Sequence, residues 1–151
     1  MPDQLNPSVF WLLIGTNDLG GTWCSPESVV IGVIRIVEEI RSAKPAAKIV
    51  INGLFPRSFN KDGFVEKGSF WKPSVWEEIK IVNKELQAYA MNRDQVYYFE
   101  TNLFFKDNKA ATNHLQIDRE LMPDFLHPSA KGYEMWAEEI VHKLRELVPK
   151  Y

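Results

Sequence analysis

Two short motifs in this sequence hold residues suited to acid–base and electrostatic chemistry. Gly15-Thr16-Asn17-Asp18 directly follows an apolar run, and Asp124-Phe125-Leu126-His127-Pro128 directly precedes a helix start. An Asn at the carboxyl end of a buried strand can aim its amide N–H at a developing oxyanion. Such a donor is worth roughly 10²–10³ in rate when preorganised. Gly, Asn and Asp are also ordinary turn residues, and those four residues alone read best as a turn. A carboxylate three residues before an imidazole can orient the ring and stabilise the imidazolium, as a general base and its orienter do. A lone D-x-x-H reads better as a solvated loop charge beside a satisfied loop histidine. A third reading is metal ligation by Asp124 and His127 with help from His114 or Asp118. No pair here has the helix-based spacing of H-E-x-x-H, so no metal is expected. His142 falls on the exposed side of the last helix. Cys24 reads as a small structural residue rather than a nucleophile.

These motifs need elements to position them. Val9 to Ile14 is apolar without alternation, the pattern of a strand buried on both faces of a parallel sheet. Ser25-Pro26 starts a helix, with Ser as N-cap and Pro at the first position. Val29, Val33, Ile36, Val37 and Ile40 form its inner stripe, and Lys44-Pro45 ends it. A second strand runs from Lys48 to Leu54. The loop from Phe55 to Pro73, about 19 residues, is long enough to be either a binding or lid segment or a loose surface excursion. Ser74-Val75-Trp76-Glu77 reads as a capping box for a helix with Val75, Ile79, Val82, Leu86 and Ala90 inward. A short strand, Val96 to Phe99, and an irregular stretch to Leu126 follow. The last helix starts after Ser129, carries Tyr133, Trp136, Ala137, Ile140, Val141, Leu144 and Leu147 inward, and stops at Pro149. The order β-α-β-α-β-α predicts parallel strands in a three-layer α/β/α sandwich. Three strands is few for that architecture, where about five are usual.

Composition bounds the rest. The 151 residues suit one domain, spanning 1–151, and 45% hydrophobic with 25% charged residues is a globular composition. The net charge of -2 gives no electrostatic case for nucleic acid or an anionic membrane surface. A single cysteine cannot form an intrachain disulfide or a cysteine-rich zinc site. No apolar run approaches the roughly 18 residues of a membrane helix.

The two motifs occur together, in order, and this makes the sequence distinctive. It resembles the SGNH (GDSL-type) hydrolase superfamily, and within it the acylhydrolases related to the catalytic subunits of platelet-activating-factor acetylhydrolase. The resemblance rests on Trp11 to Leu19, on the helix ending Ala43-Lys44-Pro45, on Lys48 to Arg57, and on Leu121 to Tyr133. It implies a flavodoxin-like parallel sheet and hydrolysis of a carboxylic ester, with a small-molecule or lipid-like substrate. Asn17 becomes an oxyanion-hole donor, His127 the general base and Asp124 the residue that holds it. No cofactor is implied, and a homodimer is an expectation from the related acylhydrolases.

One departure stands out. The family's serine lies in a Gly-Asp-Ser motif ahead of the G-T-N-D segment, and a glycine that serves as second oxyanion donor also precedes it. Only 16 residues precede Asn17 here, and they contain no Gly-Asp-Ser. Ser8 lies before the strand, while Ser25, Ser28, Ser74 and Ser129 read as helix starts. About 60 residues, two β-α units, would supply what is absent. The expectation is the C-terminal portion of a longer esterase, with Met1 an internal methionine and no turnover by these 151 residues alone. The alternative is a degenerate paralogue acting as a non-catalytic binding or interaction module. The sequence leaves the compartment open.

Overall fold

The computed structural model describes residues 6–106 and 114–148. The start of the opening loop and Pro149, read above as a helix stop, lie outside them. The chain forms two compact units, one running to Leu54 and including Glu78–Glu100, the other comprising Phe55–Glu77 and the residues from Thr101 onward.

In the first unit, β1 (Val9–Leu12), β2 (Lys48–Asn52) and β3 (Val96–Phe99) form a parallel sheet in the order β1-β2-β3. Phe10 pairs with Ile49, and Val50 with Tyr97. The central strand needs cover on both faces, because consecutive residues point to opposite sides. It has that cover: Ile49, Val50, Ile51 and Asn52 are all buried. The expected α/β arrangement with a parallel sheet is thus present.

The first strand is shorter than expected and only half-buried along its length. Among the described residues it forms one edge of the sheet. The Lys48 N–H donates to the Ser8 carbonyl at 2.9 Å, so residues 8, 10 and 12 face β2. Val9 and Trp11 therefore present their backbone groups to the open side. No charge or proline lies between Val9 and Ile14 to blunt that edge.

The short helix α1 (Thr16–Gly20) follows β1 directly. Helix α2 (Pro26–Ala43) begins as expected: the Ser25 Oγ accepts the Ser28 N–H, and Pro26 occupies the first turn. Val29, Val33 and Val37 are buried, but Ile36 is 42% exposed and Ile31 67%. The fully buried stripe is therefore narrower than the sequence suggests: it is the i, i+4 line of valines, with Val30, Ile34 and Ile40 half-buried beside it. Helix α3 (Trp76–Met91) buries Ile79, Val82, Leu86 and Ala90. It also buries Asn83, whose Oδ1 accepts the Leu54 N–H at 2.7 Å and whose Nδ2 donates to the Leu54 carbonyl at 3.0 Å. One side chain thus satisfies both backbone groups of a buried residue just past the β2 end, where the ladder stops.

The second unit has its own core, in which Val65, Phe104, Ile117 and Met122 are almost wholly buried. The long loop helps build it rather than hanging over it. The Val65 N–H donates to the Leu115 carbonyl, the Ile117 N–H donates to the Gly63 carbonyl, and Phe64 bridges Gln116. Ser74 accepts the Trp76 N–H and donates to the Val65 carbonyl. These bonds correct the reading as a loose excursion. Only the tip projects: Phe70 and Trp71 are 90% and 85% exposed. The last helix, α4 (Ala130–Leu147), is capped by the Ser129 Oγ accepting the Gly132 N–H. Its apolar stripe is less covered than expected. Leu147 is buried and Trp136, Ile140 and Leu144 are half-buried, but Tyr133, Ala137 and Val141 are exposed.

Candidate active site

The Asn17 segment is built by a strand that ends abruptly. After β1 the chain turns through Gly15, at φ +114°, into α1. A side chain there would place its Cβ 2.7 Å from Val29 Cγ1, so both conformation and space require glycine. Asn17 then sits in the first turn of α1 and is exposed. Its carbonyl accepts the N–H groups of Gly21 and Thr22, which closes the turn. The side-chain amide makes no hydrogen bond among the described residues. A donor left unpaired at the carboxyl end of a parallel strand is free to meet a ligand.

In the second unit, Asp124 and His127 lie on one tight turn before α4. The Asp124 Oδ2 stands 2.7 Å from His127 Nδ1. Its other oxygen, Oδ1, accepts the backbone N–H of His127 at 2.7 Å and that of Leu126 at 3.0 Å. These bonds hold the carboxyl well below the usual range, at about 2, with the His127 backbone N–H the largest cause. Asp124 is thus an anion at any working pH. It binds the Nδ1 side of the ring, which leaves Nε2 to take a proton from a hydroxyl. The pair is solvent-facing, with side chains 69% (His127) and 56% (Asp124) exposed.

The sequence-predicted residues divide plainly. Asp124 and His127 come together, and Asn17 belongs to the first unit. His114 turns to Glu66, with Nδ1 3.7 Å from Oε2, and Asp118 uses Oδ1 to accept the Glu120 N–H. Among the described residues, no three His, Cys, Asp or Glu side chains gather as metal ligands. His142 is exposed and pairs with Glu146 one turn on. Cys24 is exposed, 3.3 Å from the Thr22 hydroxyl.

Two residues of this region were not singled out from sequence. Arg57 is only 7% exposed, with its guanidinium 5.0 Å from the Phe59 ring centre. Burial lowers its pKa, and the Asp124 charge opposes that shift. Phe125, between Asp124 and His127, is buried and adopts φ +59°. The Pro56-Arg57 dipeptide after a strand was a visible cue for the first. No local pattern announces the second.

Comparison with known proteins shows a family and a fold likeness. The model of the GDSL-like lipase/acylhydrolase family matches residues 1–135. The alpha1 subunit of platelet-activating factor acetylhydrolase IB from Homo sapiens is 24% identical over 131 residues, 87% of this chain and 48% of that protein. The human alpha2 subunit is 26% identical over 151 residues, 98% of this chain and 58% of that protein. The chain thus spans about half the length of the curated relatives it matches. A carbohydrate esterase family 3 structure from Talaromyces cellulolyticus superposes with a TM-score of 0.66 at 19% identity, covering 96% of this chain and 60% of that one. No described helix is long and apolar enough to cross a membrane.

Proposed function

From the premise that the chain belongs to the GDSL-like lipase/acylhydrolase family, we propose that it is the base-bearing portion of a carboxylic ester hydrolase. His127 takes the proton of an attacking serine hydroxyl, and Asp124 holds the ring and stabilises the imidazolium. Asn17 donates to the oxyanion of the tetrahedral intermediate. The acyl-enzyme is then hydrolysed by water activated on the same imidazole. The substrate is a small ester. No Gly-Asp-Ser segment precedes Asn17 in this sequence to supply the serine.

The observation that carries this reading is the 2.7 Å contact of Asp124 Oδ2 with His127 Nδ1, on a carboxylate already fixed by two backbone N–H groups. Surface Asp–His contacts are common, but a carboxylate locked this way has one orientation to offer its histidine. The test restores the upstream reading frame and assays a short-chain aryl ester. Hydrolysis that survives His127→Ala undiminished removes His127 from the reaction.

A second reading is a non-catalytic module that dimerises through β1. It is favoured by the open edge of that strand and the apolar hollow beside it, about 230 Å³, lined by Ile14, Val29, Val33 and Ile36 among others. Sedimentation separates the two: a monomer at all concentrations speaks against the module.

A further inference from the structure

We propose that Phe125 is the positioning residue of the Asp124–His127 pair, and that the 55–65 segment exists in its present form to seat it. The inference rests on the reading of that pair as catalytic machinery. It adds the device that sets the pair's geometry.

A buried aromatic residue with a left-handed backbone is unusual. An L-residue there is strained, and such strain persists only where surrounding contacts over-determine it. At φ +59° the chain reverses sharply after Asp124. That reversal lets the N–H groups of Leu126 and His127 converge on one carboxylate oxygen.

The contacts that hold Phe125 come largely from the long segment after β2. The Ser58 N–H donates to the Phe125 carbonyl at 3.1 Å. The Ser58 hydroxyl donates to the Phe64 carbonyl at 2.8 Å, which keeps the segment folded back on itself. Gly63, at φ +78°, leaves space for the ring: a Cβ there would stand 2.7 Å from Phe125 Cε1. Arg119 covers the ring, with its guanidinium 4.9 Å from the centroid and Nη2 donating to the Lys61 carbonyl at 2.9 Å. The ring is therefore fixed by a backbone bond, a glycine-shaped seat and a cation. None of these groups belongs to the pair itself. The segment also brings the buried Arg57, whose charge acts on Asp124.

The test uses the chain as it stands and needs no ester hydrolysis. Carboxyl-carbon NMR follows the Asp124 titration, with the His127 amide proton as a second probe of the turn; His127 and Arg57 are the charged groups acting on this carboxylate. Phe125→Gly keeps the backbone conformation accessible but removes the anchor. It should raise the Asp124 midpoint from about 2 by about one unit or more, towards the free value near 3.9, and move the His127 amide upfield. Phe125→Tyr, which keeps the ring, should leave both in place. Should Phe125→Gly not fold, Phe125→Leu takes its place, since it stays apolar but does not fill the seat. A folded variant with lower melting temperature and an unmoved Asp124 midpoint would make Phe125 mere core packing and overturn the proposal. That outcome leaves the role of His127 in ester hydrolysis untouched. Conversely, a loss of the His127 role in the aryl ester assay leaves this titration result standing.

Discussion

Replacing Asp124 by Asn makes stability a direct report on the His127 turn. Asn keeps an oxygen for the N–H groups of Leu126 and His127 and removes only the charge. The carboxyl sits at about 2 in the folded chain against an ordinary 3.8. Unscreened, such a shift corresponds to roughly 2.5 kcal/mol at 1.36 kcal/mol per unit. The side chain is 56% exposed, however, so solvent screening cuts the contribution to under about 1 kcal/mol. A depressed carboxyl pKa stabilises the fold above the unfolded value and loses that contribution as pH falls through the folded one. The difference between wild type and Asp124→Asn should shrink between about pH 4 and 2. Urea unfolding by circular dichroism across that range measures it. A difference that does not shrink there would refute the claim that the folded turn favours the anion.

Removal of Asn83 addresses the junction of β2 with α3. Asn83→Ala strands the buried N–H and C=O of Leu54, which should cost about 2–6 kcal/mol at 1–3 kcal/mol per unsatisfied group; the urea midpoint reads the loss. The 151-residue chain should not label with a fluorophosphonate probe, because its sequence holds no Gly-Asp-Ser segment to supply the proposed base with a nucleophile. Labelling of any serine in this chain would show that one of its own serines can attack.

Much of this architecture was legible because the signals are local. Ser25-Pro26 marks a helix start through capping chemistry that needs only neighbouring residues. Val9 to Ile14 and Ile49 to Ile51 declare strands by unbroken apolar runs. Asp124 and His127 are close in sequence, so their contact required only a turn. What was illegible depended on distant groups. Periodicity placed Ile36, Tyr133 and Val141 inward, but cover is decided by what packs against a helix, and these three are exposed. Phe55 to Pro73 read as a lid or excursion because glycines and prolines mark irregular backbone without saying what it binds. Its bonds to Leu115, Ile117 and Phe125 span some 50 to 67 residues of sequence. The positive φ of Phe125 was hidden for the same reason, since the seat that permits it is Gly63.

The central claim is that Asp124 acts through His127, and a double-mutant cycle tests it most directly. With the upstream segment restored, kcat/KM for a short-chain aryl ester is compared among wild type, Asp124→Asn, His127→Ala and the double variant. Residues that work as one unit are strongly non-additive. Asp124→Asn alone should lower the rate by up to about 10⁴, and it should cost almost nothing further once His127 is gone. Full additivity of the two losses would contradict the account.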